Sequence, residues 1–139
     1  MPAPGPAIPE DLLQRLTDAA RAASAHAHCI YSRFPVGAAV LTGTGEIFVG
    51  CNVENASYGL TICAERSAIF QAVAAGHRAI RAVVVFTPTD EPTPPCGACR
   101  QVINEFGPDA EVISTCRGPN VARHTLSELL PGAFGPGNL

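Results

Sequence analysis

The first long patterned stretch lies between Pro9 and His28, where Leu12, Leu13, Leu16, Ala19, Ala20 and Ala23 recur at three- and four-residue intervals. That spacing lines apolar side chains along one stripe of a helix, and Pro9 suits its start. The pattern then changes. Gly37 to Leu41 is a short apolar run closed by Thr42-Gly43-Thr44-Gly45, and Ile47 to Val53 resumes as a second extended run. Two such runs around a glycine-bearing turn predict a β-hairpin. A second helix is expected from Cys63 or Ala64 to Ala75, with Gly76 as its stop. Ile80 to Phe86 carries Val83-Val84-Val85, the uninterrupted apolar run of a strand covered on both faces. Four prolines between Thr87 and Pro95 make that stretch a loop. Gly97 to Phe106 reads as a third helix closed by Gly107-Pro108, Glu111 to Cys116 as a further strand, and Leu126 to Leu130 as a last helical turn.

Strand, strand, helix, strand, helix, strand is an α/β order. The first two strands should pair antiparallel, and the later strand–helix–strand units imply parallel pairing. The expected fold is a three-layer α/β/α sandwich around a mixed sheet of about five strands. A chain of 139 residues suits one domain, taken as 9–139. Residues 1–8, opening Met-Pro-Ala-Pro-Gly-Pro, read as a Pro-rich disordered leader.

Charge narrows the partners. Nine Lys+Arg against twelve Asp+Glu leave a net charge of −3, with no basic cluster along the chain. Nucleic-acid binders need a basic stripe to neutralise phosphates, so a small neutral ligand is the better expectation. No apolar run has the length of a membrane span and the N-terminus lacks the form of a signal peptide, so a cytoplasmic location and no membrane partner are expected. In a reducing compartment the six cysteines are thiols, metal ligands or catalytic groups before they are disulfides.

Cys96-Gly97-Ala98-Cys99 opens the third helix after the proline-rich loop. Thiolates two residues apart can meet one zinc ion, and a helix N-terminus favours the thiolate; the same spacing also suits a redox dithiol. Cys63-Ala64-Glu65-Arg66 shifts the balance, because it too lies where a loop enters a helix. Cys63, Cys96 and Cys99 would hold one Zn²⁺ per chain and leave its fourth position open to water, the arrangement of a catalytic site. Glu65, in the first helical turn, can reach that water as general base. Three thiolates and one Zn²⁺ sum to −1, and Arg66 lies on the helical face of Cys63, where it can donate hydrogen bonds to sulfur.

With these residues in view, Cys63-Ala64-Glu65-Arg66 and Pro95-Cys96-Gly97-Ala98-Cys99-Arg100-Gln101 resemble the signature of the small cytidine deaminases. The resemblance extends to Tyr31–Ala39, Asn52–Tyr58 and the Leu129–Phe134 tail. It implies hydrolytic deamination of cytidine and 2'-deoxycytidine in pyrimidine salvage, with zinc-bound hydroxide attacking C4 and Glu65 shuttling protons. It further implies that Asn52 and Glu54 hold the ribose hydroxyls and that Phe34 packs against the nucleoside. A cysteine as first ligand points to the homotetrameric branch, in which Tyr58 and Phe134 would reach a ligand across a subunit boundary. A blasticidin S-type deaminase and a non-catalytic zinc-stabilised binding module are the rival readings. Cys29, Cys51 and Cys116, with His26, His28, His77 and His124, are expected to be structural.

Overall fold

The structure, a computed structural model, describes residues 7–139. Its elements are helix α1 (Glu10–Ser24), strands β1 (Gly37–Thr42) and β2 (Ile47–Cys51), helix α2 (Ala64–Ala74), strand β3 (Ile80–Phe86), helix α3 (Gly97–Phe106), strands β4 (Glu111–Thr115) and β5 (Ala122–Thr125), and the short helix α4 (Leu126–Leu129). The sheet runs β2-β1-β3-β4-β5. β1 pairs antiparallel with both β2 and β3, β3 with β4 in parallel, and β4 with β5 antiparallel. The mixed α/β sheet of five strands is therefore as expected.

Alternation along the strands builds the three layers. Ala38, Val40, Val83 and Val112 turn to one face and pack with Ala68, Ile69 and Ala72 of α2 and Ile103 of α3. Ala39, Leu41, Ala82, Val84 and Ile113 turn to the other and meet Leu13, Leu16 and Ala20 of α1. Both faces are dry, so β3 needs no polar alternation. Two glycines set the spacing between layers. A Cβ on Gly37 would lie 1.8 Å from the Ala20 carbonyl oxygen of α1, and one on Gly50 would lie 2.4 Å from the Ala68 nitrogen of α2.

Four features differ from the sequence expectation. Helix α1 stops at Ser24, not His28, because the chain leaves it to pair: His28 N–H donates to the Asn52 carbonyl (3.0 Å) and Glu54 N–H to the His28 carbonyl (2.8 Å). Strand β2 ends at Cys51, and Val53 instead makes single bridges to His28 and Ile62. Strand β5, Ala-Arg-His-Thr, has no apolar alternation and is held at the sheet edge by Arg123, whose guanidinium bonds Glu111 and Glu10 (each 2.9 Å). Of the leader expected over 1–8, positions 1–6 lie outside the described residues. Ile8 is buried and donates its N–H to Glu111 (3.2 Å), so it packs with the body of the protein. Among the described residues no helix is long and apolar enough to cross a membrane.

Candidate active site

Helices α2 and α3 lie on the same face of the sheet, and each begins at a cysteine. Cys63 is the N-cap of α2 and Cys96 the N-cap of α3, and neither side chain is spent on capping. Cys99, one turn into α3, is buried beside them. The sulfurs lie 3.9 Å apart for Cys63–Cys96 and 3.5 Å for Cys96–Cys99, all within 4.8 Å of one another. A tetrahedral zinc with Zn–S near 2.3 Å requires sulfurs about 3.8 Å apart. The donor set and spacing fit that ion. Among the described residues no fourth Cys, His, Asp or Glu joins the cluster.

The electrostatics follow from the crowding. Hydrogen bonding from Cys99 and then from Arg66 holds the Cys63 thiol down to about 5, while the bond to Cys63 and burial push Cys99 up. The negative charge thus favours Cys63 and the proton Cys99, an order that a bound cation removes by displacing the Cys99 proton. Arg66 Nη2 stands 3.3 Å from the Cys63 sulfur, while its Nε is buried without a partner among the described residues. Glu65 is 5% exposed, and burial first, then the Cys63 charge, raises its carboxyl above the ordinary carboxylate range.

A cavity of about 420 Å³ opens in front of this cluster, lined by Cys63, Ala64 and Glu65 on one side and by Phe34, Asn52 and Glu54 on another. The volume suits a small organic ligand. Asn52 is buried and already committed in part: its Oδ1 accepts from Val36 N–H (2.8 Å) and its Nδ2 donates to the Phe34 carbonyl (2.9 Å). Glu54 accepts from the N–H groups of Tyr31 (3.0 Å) and Ser32 (3.1 Å) and from the Ser32 hydroxyl. The Ser32 hydroxyl, ahead of the two N–H groups, holds its carboxyl below the ordinary range.

Residues 10–115 match the family model for the cytidine and deoxycytidylate deaminase zinc-binding region. The chain belongs to this family. It is 51% identical over 109 residues to the cytidine deaminase of Halalkalibacterium halodurans, covering 78% of this chain and 83% of that one. Identity to the cytidine deaminase of Sporosarcina psychrophila is 43% over 129 residues, covering 91% and 94%. The crystal structure of cytidine deaminase from Burkholderia pseudomallei superposes with a TM-score of 0.84 at 50% identity, over 87% of this chain and 98% of that one.

In this family member the remaining site expectations divide. Tyr58 and Phe134 do not line the cavity of their own chain. Tyr58, 74% exposed, stands edge-on to Tyr31 beside a neighbouring cleft of about 390 Å³. Phe134 is 59% exposed, and its carbonyl is tied to α3 by Gln101 (2.8 Å) and Asn104 (3.2 Å). Cys29, Cys51 and Cys116 stay outside the sulfur cluster. Sequence reasoning passed over Ser32, Thr61, Thr87, Thr93 and Pro94, which also line the cavity. Thr93 and Pro94 belong to the proline-rich loop, whose composition marked it as loop and nothing more. Arg100 was passed over too: it donates to the Pro95 carbonyl (2.8 Å) and to Leu129 (2.9 Å), tying the approach to Cys96 onto α4.

Proposed function

We infer that this protein hydrolytically deaminates cytidine and 2'-deoxycytidine, releasing ammonia and forming uridine and 2'-deoxyuridine. The observation that carries the reading is one cluster: three sulfurs at zinc spacing, one of which, Cys63, lines a cavity of nucleoside size together with the buried Glu65.

Zinc held by Cys63, Cys96 and Cys99 supplies Lewis acidity that makes the hydrolytic water acidic near neutral pH. Glu65 takes a proton from that water as its oxygen bonds to C4 of the base. It passes that proton to N3, then takes the remaining proton from the new C4 hydroxyl and delivers it to the amine, which leaves as ammonia as the C4–N bond breaks and the C4 carbonyl forms. A carboxyl buried enough to accept a proton readily is suited to both halves of that traffic. Arg66 offsets the excess negative charge of three thiolates, which would otherwise weaken the Lewis acid. Phe34 offers an apolar wall for the nucleoside.

The sugar reading rests on hydrogen-bond accounting. An amide offers two N–H donors, and Asn52 has committed one to Phe34. A carboxylate offers about four acceptor sites, and Tyr31 and Ser32 use three of those on Glu54. One donor and one acceptor remain, which is what a single hydroxyl requires. A hydroxyl common to both nucleosides satisfies that pair, so both are expected substrates. Free cytosine would leave both groups unpaired and be disfavoured.

The assembly is a homotetramer in which the exposed Tyr58 and Phe134 of one copy reach the cavity of another. Six free thiols suit a reducing cytoplasm, where the reaction serves pyrimidine salvage. The test is absorbance loss with cytidine, deoxycytidine, cytosine, blasticidin S and a cytosine-containing oligonucleotide, run beside zinc stoichiometry. Turnover of the two nucleosides with one zinc per chain is expected. Turnover confined to the oligonucleotide or to blasticidin S would overturn it.

A further inference from the structure

The loop that carries Phe34 turns sharply before it reaches the cavity. Arg33 adopts φ 59°, a left-handed conformation that non-glycine residues seldom take, and its N–H closes a turn on the Cys29 carbonyl (2.8 Å). This turn aims the backbone N–H groups of Tyr31 and Ser32 at one oxygen of Glu54, Oε1. A carboxylate held through one oxygen can still rotate about it. The other oxygen, Oε2, is fixed by the Ser32 hydroxyl. The same hydroxyl accepts the N–H of Phe34 (3.1 Å), so one oxygen atom links the sugar-side carboxylate to the residue at the wall of the cavity.

We propose that Ser32 is a positioning residue for nucleoside binding, whose hydroxyl fixes the Glu54 carboxylate so that its one uncommitted acceptor site faces the sugar. This rests on the reading that Glu54 contacts the sugar. Ser32 is exposed and outside the apolar clusters, so truncating it removes no core contact. A hydrogen bond to a charged group, once lost, corresponds to roughly a ten- to hundredfold change in affinity.

The test compares zinc-loaded wild type with Ser32→Ala, Ser32→Thr and Glu54→Gln on cytidine and on 2',3'-dideoxycytidine, which lacks both sugar-ring hydroxyls. Ser32→Ala is expected to raise the cytidine KM about tenfold or more while kcat stays within about twofold. The KM for 2',3'-dideoxycytidine should not move, and Ser32→Thr should recover most of the loss. If Ser32→Ala raises KM equally for both substrates, Ser32 merely shapes the loop and the proposal fails. If Ser32→Ala leaves the cytidine KM unchanged while Glu54→Gln raises it, the proposal fails and the sugar reading survives. If Glu54→Gln also leaves it unchanged, the sugar reading itself is overturned and the proposal falls with it.

Discussion

Burial raises the pKa of the Glu65 carboxyl and the Cys63 charge adds to it, outweighing its backbone N–H, Cys99 and Arg66, which favour the ionised form. Replacement by glutamine keeps the shape and removes the group proposed to carry protons. The Glu65→Gln variant is expected to hold zinc at wild-type stoichiometry and lose turnover by at least about a hundredfold. Near-normal kcat in the zinc-loaded variant would remove Glu65 from the chemistry. A second consequence concerns pH. A carboxyl whose folded pKa is raised binds more protons folded than unfolded, so its contribution to stability falls as pH rises from the ordinary carboxylate value through the folded one. In metal-free protein, Glu65→Gln should therefore be more stable than wild type at pH 8, with the advantage shrinking towards pH 4. Urea midpoints at both pH values check this, and a pH-independent difference would refute it. Cys96 and Cys99 were legible because their two-residue gap is local, Cys63 because it too stands where a loop enters a helix, and Arg66 because charge arithmetic asks for a cation. Ser32 was not, since its partner Glu54 lies 22 residues away and meets it through the Arg33 turn.

At the scale of elements, the two glycine contacts set how closely each helical layer approaches the sheet. The space at Gly37 is filled by the α1 backbone, which cannot swing aside as a flexible side chain can. Gly37→Ala is expected to cost about 1–3 kcal/mol, as overpacking does, read from the shift of the urea midpoint. A cost near zero would mean that α1 moves away freely. Helices α1, α2 and α3 and the four stronger strands were legible from periodicity. Strand β5 was not, because Ala-Arg-His-Thr is half-buried and its place depends on ion pairs with Glu10 and Glu111, residues distant in sequence. The antiparallel β1–β3 neighbourhood was equally hidden, since pairing order across a sheet leaves no local mark.

For the whole molecule, the sandwich could be read from element order, but the surface could not. Tyr58, Leu60 and Phe134 are large apolar side chains more than half exposed, and no single-chain pattern tells an exposed aromatic awaiting a partner from one that packs. If neighbouring copies complete the cavity, activity per chain should fall on dilution in step with loss of the tetramer by light scattering. Full activity from a verified monomer would contradict the assembly reading.

Cys63 and Cys96 stand 33 residues apart in the chain, yet their sulfurs lie 3.9 Å apart. An ion bound between them is therefore also a staple, closing a loop that contains α2, β3 and the proline-rich segment. A covalent cross-link of that span contributes about 3–4 kcal/mol by restricting the unfolded chain. Chelation should accordingly lower the melting temperature and expose 87–95 to cleavage by a broad-specificity protease before the rest of the fold. The same ion would then govern how long the protein survives as well as how fast it works, so zinc supply would set its abundance along with its rate.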